Sequence, residues 1–281
     1  MMKNLKFNTM STKNTKVAII GGGNIGCAIV KGLLLSGEIP VSNIFLTRRN
    51  IDKLDDIKES GIHISTDNFE ALKSSEVIII AVLPSQILAL LDSLAPKLDP
   101  KKHILVSVVT AFSTQEIRNR TGNEVPVIRV MPNMGAVIGE SVTSLSAGSA
   151  AGPGDIAAAK EIFSLIGDVV EVEEKLVDAV TAVSGSGPAY FFYMIESLIS
   201  AARSSGLNAQ DAARLVGRTA LASAKLLDLL GESPEELRRR VSSKGGTTEA
   251  AIKVFEKKRF KKMIAEAVGA ARKRSKELSK R

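Results

Sequence analysis

The sequence predicts an α/β protein in two parts, a doubly wound parallel sheet at the N-terminus and an all-helical domain at the C-terminus. Two observations carry this prediction. Short apolar runs alternate with helical stretches through the first part of the chain, and no strand pattern remains after Glu173. We therefore expect a flexible N-terminus over residues 1–15, a sheet domain over 16–172 and a helical domain over 173–281.

Each predicted strand is a short apolar run bounded by polar or turn residues. The run VIIIAV at 77–82 has no polar member, which is typical of a strand buried on both faces. Pro153 begins a predicted helix between the last two strands. The predicted strands are Val17–Ile20, Ile44–Thr47, 62–64, 77–82, 104–109, 127–130, 142–145 and 169–172, and the helices of the second part are 175–203, 208–230, 234–241, 247–257 and 260–278.

The composition indicates a soluble protein of the cytoplasm. No apolar run reaches the roughly 20 residues that cross a bilayer, and the polar N-terminus lacks the apolar core of a signal peptide. The single cysteine, Cys27, excludes an internal disulfide and a metal site built from several cysteines.

The net charge of +8 is concentrated at the C-terminal end of the chain, where residues 253–281 hold twelve Lys and Arg against three Glu. Two interpretations are open: binding of nucleic acid or a membrane through this segment, as in a non-enzymatic nucleic-acid-binding protein, or a solvated helix face. Helical spacing of the apolar residues between the charges favours the second. These residues are Phe255, Phe260, Met263, Ile264, Ala267 and Val268.

A glycine-rich loop follows the first predicted strand and opens a helix, which is the context that a dinucleotide-binding G-x-G-x-x-G motif requires. Gly21 would make the tight turn, Gly23 would let the backbone approach a pyrophosphate, and Gly26 would pack the helix on the strand. The phosphates would face the helix N-terminus at Asn24 and Ile25. The sheet domain is thus predicted to be a Rossmann domain that binds NAD(P).

The end of the second strand predicts which dinucleotide is preferred. An NAD site usually has an acidic residue there, whereas this chain has Thr47, Arg48 and Arg49. Arginine and a hydroxyl group would bind a 2′-phosphate that a carboxylate would repel. We expect NADP(H) to be preferred, with NAD(H) as the second candidate.

The remaining residues favour hydride transfer with little acid catalysis from the protein. The only histidines, His63 and His103, fall in predicted strands and have no clear carboxylate partner. No cluster of His, Cys, Asp and Glu has the spacing of a metal site. Reduction of a C=N bond fits this inventory, because an iminium ion already carries its activating proton.

Two loops in the helical part have the residues of a binding site. Pro188 suits the first turn of a helix that Ser186 could cap. The second loop, 241–248 (VSSKGGTT), offers two glycines and four hydroxyl groups directly before a helix that would begin near Glu249. Such a helix N-terminus can bind an anion, for example a substrate carboxylate.

With the glycine motif, these two loops make the chain resemble pyrroline-5-carboxylate reductase from about Lys16 to about Leu278. The most specific stretches are VDAVT at 177–181 leading into SGSGPAY at 184–190, VSSKGGTT at 241–248, and VIRVMPN at 127–133. The resemblance implies reduction of 1-pyrroline-5-carboxylate to L-proline, the final step of proline biosynthesis, with NADPH or NADH. It also implies a homodimer that interlocks through the helical domains and assembles further, commonly into decamers.

The resemblance also assigns residues. It places the substrate carboxylate and ring at the second loop, with the Thr248 hydroxyl near the ring nitrogen as the catalytic group. It places Asn68 at a phosphate on the adenine side of the cofactor. The implied substrate residues are Ser243, Gly245, Gly246, Thr247 and Thr248, and Ala81, Val82, Leu83 and Pro84 would border the cofactor.

The chain departs from the usual pattern of the family after three neighbouring strands and in the second loop. Val-Lys-Pro becomes Val82-Leu83-Pro84, Ala-Ala-Gly becomes Val109-Thr110-Ala111, and Thr-Pro after Met-Pro-Asn becomes Met134-Gly135. Lys244 replaces the proline before Gly-Gly and would add a charge at the carboxylate site. Either these are tolerated changes or the substrate is another cyclic imine reduced with NADPH.

Overall fold

The computed structural model describes residues 14–122 and 124–278. The chain forms two compact units. Of the described residues, the first unit contains those up to Ser186 and those from Ala271 onward, and the second unit contains Gly187–Ala270. Most of the predicted flexible N-terminus lies outside the described residues.

The segment that follows residue 172 still packs on the first unit. The Glu174 carboxylate accepts hydrogen bonds from the Thr114 backbone N–H (2.7 Å) and the Thr114 hydroxyl (2.8 Å). The Asn133 side chain donates to the Ser184 carbonyl at 3.3 Å. The compact units therefore divide later in the chain, while a boundary near residue 172 between cofactor and substrate domains stays a prediction.

One eight-stranded sheet lies at the centre of the first unit. Its strands begin and end close to the predicted runs. The runs 77–82 and 104–109 are longer than the strands that they form, because the last two residues of each run lie beyond the strand at the carboxyl edge of the sheet. The strands are β1 (Val17–Ile20), β2 (Ile44–Thr47), β3 (His63–Ser65), β4 (Val77–Ile80), β5 (Ile104–Ser107), β6 (Val127–Met131), β7 (Ser141–Ala147) and β8 (Gly167–Glu171).

The strand order is β3-β2-β1-β4-β5-β6-β7-β8. Every neighbouring pair is parallel except β6 and β7, which are antiparallel. The first six strands have the order of a Rossmann fold, so the chain reverses direction across the sheet between β1 and β4. In such folds ligands bind at this switch point, outside the carboxyl ends of the strands.

Both faces of the sheet are covered, which explains why β1 and β4 have no polar residues. Val17 and Ile19 belong to one buried apolar cluster, and Ala18 and Ile20 belong to the other. All four side chains are at most 1% exposed. Successive residues of a strand point to opposite faces, so each residue of β1 contributes to one of the two cores.

The helices of the first unit alternate with its strands. Helix α1 ends at Gly37, whose φ of 67° is the left-handed conformation that closes many helices. Ser113 caps α5 by accepting a hydrogen bond from the Glu116 N–H at 3.1 Å. The helices are α1 (Asn24–Ser36), α2 (Asp55–Lys58), α3 (Asn68–Ser74), α4 (Ile87–Leu94), α5 (Thr114–Thr121), α6 (Pro153–Ser164) and α7 (Val177–Val180).

The prediction of one continuous helix over 175–203 is wrong, because a π-helical turn, Thr181–Gly185, follows α7. Pro188 has no N–H to donate to the Ser184 carbonyl one turn earlier, so the regular helical bond cannot form there. The Ser184 carbonyl accepts from Asn133 instead. Ser186 does not cap the following helix: its backbone is right-handed helical (φ −87°, ψ −14°), whereas a cap residue is extended.

The other four predicted helices of the C-terminal part are confirmed to within about one residue. Asn208 caps α9 by accepting from the Asp211 N–H at 2.9 Å, and Ser233 caps α10 by accepting from the Glu236 N–H at 3.2 Å. Helices α8 and α9 pack against each other. The helices are α8 (Gly187–Ser204), α9 (Ala209–Leu230), α10 (Pro234–Arg240), α11 (Thr247–Lys257) and α12 (Phe260–Leu278). None of the helices in residues 14–122 and 124–278 is both long and apolar enough to span a bilayer.

Ala111, in the turn after β5, has a φ of 79° although it is not a glycine, and it is only 2% exposed. A left-handed conformation costs an L-residue about 1–2 kcal/mol. Ala111→Gly is therefore expected to leave the free energy of unfolding nearly unchanged, measured by urea denaturation, because relief of this strain offsets the looser unfolded chain (about 0.4–1 kcal/mol) and the lost burial of the methyl group (about 0.8 kcal/mol). Ala150→Gly, at a half-buried position without a positive φ, is the control and should lower the free energy of unfolding by about 0.4–1 kcal/mol. Equal effects of the two changes would mean that the Ala111 backbone is not strained.

Candidate active site

The glycine loop between β1 and α1 is shaped by close backbone contacts. Gly21 has a φ of 115°, and a Cβ at this position would lie 2.5 Å from the Ala81 carbonyl oxygen. A Cβ on Gly26 would collide with the Gly21 carbonyl oxygen. These two glycines are thus required by the protein itself, for the turn and for the packing of the helix on the strand.

Gly23 has a different role, because no described atom beyond its two chain neighbours lies within 4 Å of the position that its Cβ would occupy. It precedes α1 with an extended backbone (φ −83°, ψ −168°) and has no side-chain cap. The backbone N–H groups of the first helical turn, which begins with Asn24 and Ile25, lack an intrahelical acceptor. An open surface over Gly23 beside these donors fits the phosphates of a dinucleotide.

The end of β2 joins this loop. The Thr47 carbonyl accepts hydrogen bonds from the N–H groups of Gly21 (3.1 Å) and Gly22 (2.8 Å). The Thr47 side chain is 2% exposed, and its hydroxyl donates to the Asn68 side-chain oxygen at 2.6 Å. Thr47 therefore positions Asn68 and the loop, and Asn68 lies at the start of α3.

Arg48 and the loop border a cavity of about 250 Å³. The Arg48 guanidinium donates to the Gly22 carbonyl at 2.5 Å and to the Lys53 carbonyl at 3.4 Å, so it is held against the glycine loop. Arg49, the next residue, is exposed. The cavity has three cationic side chains in its lining, which is formed by Gly23, Asn24, Cys27, Lys31, Arg48, Lys53, Leu54 and Ile57.

The ends of the next three strands in the sheet carry the residues that depart from the usual family pattern. After β4, the Ala81 N–H donates to the Ile20 carbonyl at 2.8 Å, which holds the start of the loop beside β1. Leu83 is 64% exposed, and Pro84 begins a short 3-10 helix. After β5 and β6, Thr110 is half-buried and Met134 is 47% exposed. These side chains are accessible at the edge where the fold binds its ligands.

A buried charge near this edge, that of Arg129, is not predicted by the sequence analysis. Arg129, on β6, is 6% exposed, and its Nη1 lies 3.6 Å from Glu174 Oε1. Its Nε and Nη2 have no hydrogen-bond partner among the described residues. The sequence does contain a sign of this buried charge, because Arg129 is the only charged residue in an otherwise apolar strand. A buried charge of this kind needs a partner, and Glu174 provides it while also binding Thr114.

In the second unit, the loop before α11 brings together the residues assigned to the substrate. Gly245 has a φ of 75°, which favours glycine. A Cβ on Gly246 would lie 2.5 Å from Ser243 Oγ, so only glycine lets the serine hydroxyl lie over this backbone. Helix α11 begins at Thr247, earlier than Glu249, and no side chain caps it. The N–H groups of its first turn are therefore free of intrahelical acceptors, next to the Ser243 and Thr248 side chains.

A carboxylate already lies at this loop. Glu249 Oε2 accepts a hydrogen bond from the Gly245 N–H at 2.7 Å, and Glu249 Oε1 lies 3.3 Å from Lys253 Nζ. The Gly245 N–H and then Lys253 hold the pKa of the Glu249 carboxyl group below its ordinary value, because both stabilise the charged form. The loop thus binds a carboxylate group, although this one belongs to the chain.

Neither histidine is placed for proton transfer. The His63 ring, on β3, stacks on Phe45 with centroids 4.5 Å apart. His103 does not lie in a strand but directly before β5, and its Nδ1 accepts from the Asp99 N–H at 2.9 Å. Burial, and then the nearby Lys102, lower the pKa of His103, so its neutral form is favoured. Among the described residues, no three His, Cys, Asp or Glu side chains are grouped to hold a metal ion.

Comparisons with known proteins give the family. A family model described as pyrroline-5-carboxylate reductase dimerisation matches residues 174–278, and one described as NADP oxidoreductase, coenzyme F420-dependent, matches residues 16–111. Pyrroline-5-carboxylate reductase 2 of Bacillus subtilis is 35% identical over 265 residues, which cover 94% of this chain and 95% of the relative.

Solved structures agree with the sequence comparison. A pyrroline-5-carboxylate reductase from Coxiella burnetii has a TM-score of 0.87 and 34% identity, covering 94% of this chain and 98% of that chain. The Plasmodium falciparum pyrroline carboxylate reductase with NADP bound has a TM-score of 0.86 and 27% identity, covering 95% of this chain and 99% of that chain. The predicted Rossmann domain followed by a helical dimerisation domain is confirmed. The chain belongs to the pyrroline-5-carboxylate reductase family.

Proposed function

We propose that this protein reduces 1-pyrroline-5-carboxylate to L-proline with NADPH. The single observation that carries the proposal is full-length similarity to proteins of that name. The geometry of two loops supports it. The glycine loop of the first unit fits a dinucleotide, and the loop before α11 in the second unit holds a carboxylate.

The substrate side of the proposal rests on the N-terminus of α11. The substrate carboxylate would accept hydrogen bonds from backbone N–H groups there and from the Ser243 hydroxyl, and the Thr248 hydroxyl would lie near the ring nitrogen. The Ser243 hydroxyl lies close to the backbone of Gly246, because this residue lacks a Cβ. The residues proposed to bind the substrate are Ser243, Gly245, Gly246, Thr247 and Thr248, with Thr248 as the catalytic residue.

On the cofactor side, the open space over Gly23 and the cationic cavity beside Arg48 fit a phosphorylated dinucleotide. The nicotinamide, when bound, supplies the hydride. The chain would hold the pyrophosphate at the N-terminus of α1 and the 2′-phosphate at Arg48 and Arg49. The residues proposed to bind the cofactor are Gly21, Gly23, Asn24, Ile25, Gly26, Thr47, Arg48, Arg49, Asn68, Ala81, Val82, Leu83 and Pro84.

For this reaction the protein must orient the two reactants and bind the charged groups of the substrate and the cofactor. The substrate ring would enter as an iminium ion whose nitrogen already carries a proton, so no histidine is needed as an acid. His63 and His103 are both engaged in structural contacts, which agrees with this route. Correct orientation of two reactants can supply a large part of the rate enhancement.

Oxidation of NADPH by the purified protein with 1-pyrroline-5-carboxylate, followed at 340 nm with identification of L-proline, tests the proposal. Turnover that depends on the substrate would support it. Cofactor binding without turnover would contradict it and would favour a different cyclic imine. Leu83, Thr110 and Met134 motivate that second candidate, and faster reduction of a six-membered imine such as piperideine-2-carboxylate would establish it.

Replacing both Arg48 and Arg49 by alanine is expected to raise the KM for NADPH about tenfold or more and the KM for NADH by less than twofold. Each arginine lost removes a charge-assisted hydrogen bond to a 2′-phosphate, which NADH lacks. Steady-state assays with both cofactors measure this, and Lys97→Ala, an exposed cation in the 3-10 turn after α4, is the control. Equal increases for the two cofactors would mean that these arginines do not bind the 2′-phosphate.

We also propose that the protein is a homodimer, assembled further into a decamer, that acts in proline biosynthesis in the cytoplasm. The second unit alone leaves large apolar side chains exposed on α8 and α9. Phe191 is 73% exposed, Tyr193 is 72% exposed and Leu229 is 78% exposed. An apolar surface of this kind is typical of a face that a partner covers, and the dimerisation model matches this part of the chain.

A further inference from the structure

The carboxylate of Glu249 occupies a hydrogen-bond donor of the proposed substrate site. Glu249 Oε2 lies 2.7 Å from the Gly245 nitrogen, a normal length for a charge-assisted hydrogen bond. Glu249 is in the first turn of α11, where the helix dipole also favours a negative charge. Its side chain is 35% exposed, so a small molecule can reach it from solvent.

Two carboxylates cannot use this donor at the same time. The Gly245 N–H is a single donor, and two like charges within a few ångströms repel each other. A substrate carboxylate that binds the 243–248 loop must therefore meet the negative charge of Glu249 or displace it. Displacement is open to Glu249, because Lys253 lies one turn further along α11 with its Nζ 3.3 Å from Glu249 Oε1.

We propose that Glu249 competes with the substrate for the carboxylate site. The Glu249 carboxylate occupies this site in the free protein and moves toward Lys253 when a substrate carboxylate binds. The inference rests on the proposed function, because it takes the 243–248 loop as the place where the substrate carboxylate binds. It assigns to Glu249 a part in setting substrate affinity. The residue weakens binding of the carboxylate and leaves the hydride-transfer step to the groups at Thr248 and at the cofactor.

The arrangement also predicts which substrates Glu249 disfavours. An anionic group at the loop competes with Glu249 for the Gly245 N–H. The affinity of an uncharged group, such as an amide or an ester, should not rise when the charge of Glu249 is removed. Loss of the Glu249 charge should therefore improve binding of carboxylates selectively. A merely structural role for Glu249 would change both kinds of ligand alike or neither.

The test is Glu249→Gln, which keeps the size of the side chain and removes its charge. Glu256→Gln is the matched control, since Glu256 is also an exposed glutamate of α11 but pairs with Arg238 at 4.0 Å. We expect Glu249→Gln to lower the KM for 1-pyrroline-5-carboxylate by about three- to tenfold and to change kcat by less than twofold. The control should match the parent protein. An unchanged or higher KM in Glu249→Gln would overturn the inference.

Calorimetric binding of L-proline and of L-prolinamide to the same three proteins separates this inference from the proposed function. We expect Glu249→Gln to bind L-proline several-fold more tightly than the parent and to bind L-prolinamide equally. Turnover by the parent with equal L-proline affinities in all three proteins would overturn the inference and leave the function standing. Tighter L-proline binding by Glu249→Gln, in a protein that does not reduce the pyrroline, would support the carboxylate competition and contradict the function.

Discussion

A Gly23→Ala variant is expected to unfold at nearly the same denaturant concentration as the parent protein and to bind NADPH at least tenfold more weakly. The stability should not change because the backbone at Gly23 is extended (φ −83°, ψ −168°) and no described atom beyond its two chain neighbours lies within 4 Å of an added Cβ. Alanine is a poorer helix cap than glycine by about 1 kcal/mol. It also restricts the unfolded chain by about 0.4–1 kcal/mol, so the two effects nearly cancel.

The loss of affinity has a separate cause. A methyl group on Gly23 would fill part of the open space over this residue, where a pyrophosphate must approach the backbone closely. A tenfold loss corresponds to about 1.4 kcal/mol of binding free energy. Fluorescence titration of NADPH, together with urea denaturation of the same sample, measures both quantities.

Gly26→Ala is the informative comparison. Its Cβ would collide with the Gly21 carbonyl oxygen, so it should lower the free energy of unfolding by about 1–3 kcal/mol as well as weaken NADPH binding. Gly23→Ala should therefore separate the two effects that Gly26→Ala combines. Normal NADPH affinity in Gly23→Ala would show that the pyrophosphate does not lie over this residue.

Much of the first unit could be predicted because its signals are local. A strand buried on both faces needs an unbroken apolar run, and β1 and β4 show one. The glycine loop follows β1 and opens α1 as predicted, and Gly21 and Gly26 meet the backbone as expected, while the role of Gly23 stays a prediction. The family resemblance added Asn68 as a cofactor residue, which no local pattern could supply. The Asn68 side chain lies beside Thr47, and its contact with the cofactor stays a prediction.

The features that the sequence did not predict depend on contacts between distant residues. The break in the helix over 175–203 requires Asn133, more than forty residues earlier in the chain, to satisfy the Ser184 carbonyl that Pro188 leaves free. Arg129 requires Glu174 in the same way. Helical periodicity does not report such partners, so the apolar pattern of the segment favoured one continuous helix.

The second loop shows the opposite limitation. Its glycines and hydroxyl groups indicated an anion site, and Glu249 follows directly in sequence, yet the pattern did not predict that Glu249 turns back to Gly245. A glutamate in the first turn of a helix usually interacts with the helix dipole or with a residue one turn on. Only the left-handed Gly245 backbone, with a φ of 75°, turns an N–H toward this carboxylate.

Replacing Thr248 by alanine is expected to lower kcat/KM for 1-pyrroline-5-carboxylate roughly 10- to 100-fold without changing the affinity for NADPH. Thr248 lies in the first turn of α11, in the second unit, whereas the glycine loop belongs to the first unit. A hydrogen bond to a charged group contributes about 1.5–3 kcal/mol, which corresponds to this range of rate constants. Steady-state kinetics and NADPH titration measure the two effects.

The kinetic constants should also tell which part of the substrate the hydroxyl contacts. If the hydroxyl donates to the ring nitrogen, whose lone pair appears as the hydride reaches the iminium carbon, the loss in Thr248→Ala falls mainly on kcat; if it binds only the carboxylate, the loss falls on KM. Thr248→Ser retains the hydroxyl and should keep most of the activity, while Thr247→Ala should affect kcat little. Full activity in Thr248→Ala would leave the loop as a carboxylate site without a catalytic hydroxyl. The rate would then depend on the orientation of the imine against the cofactor alone.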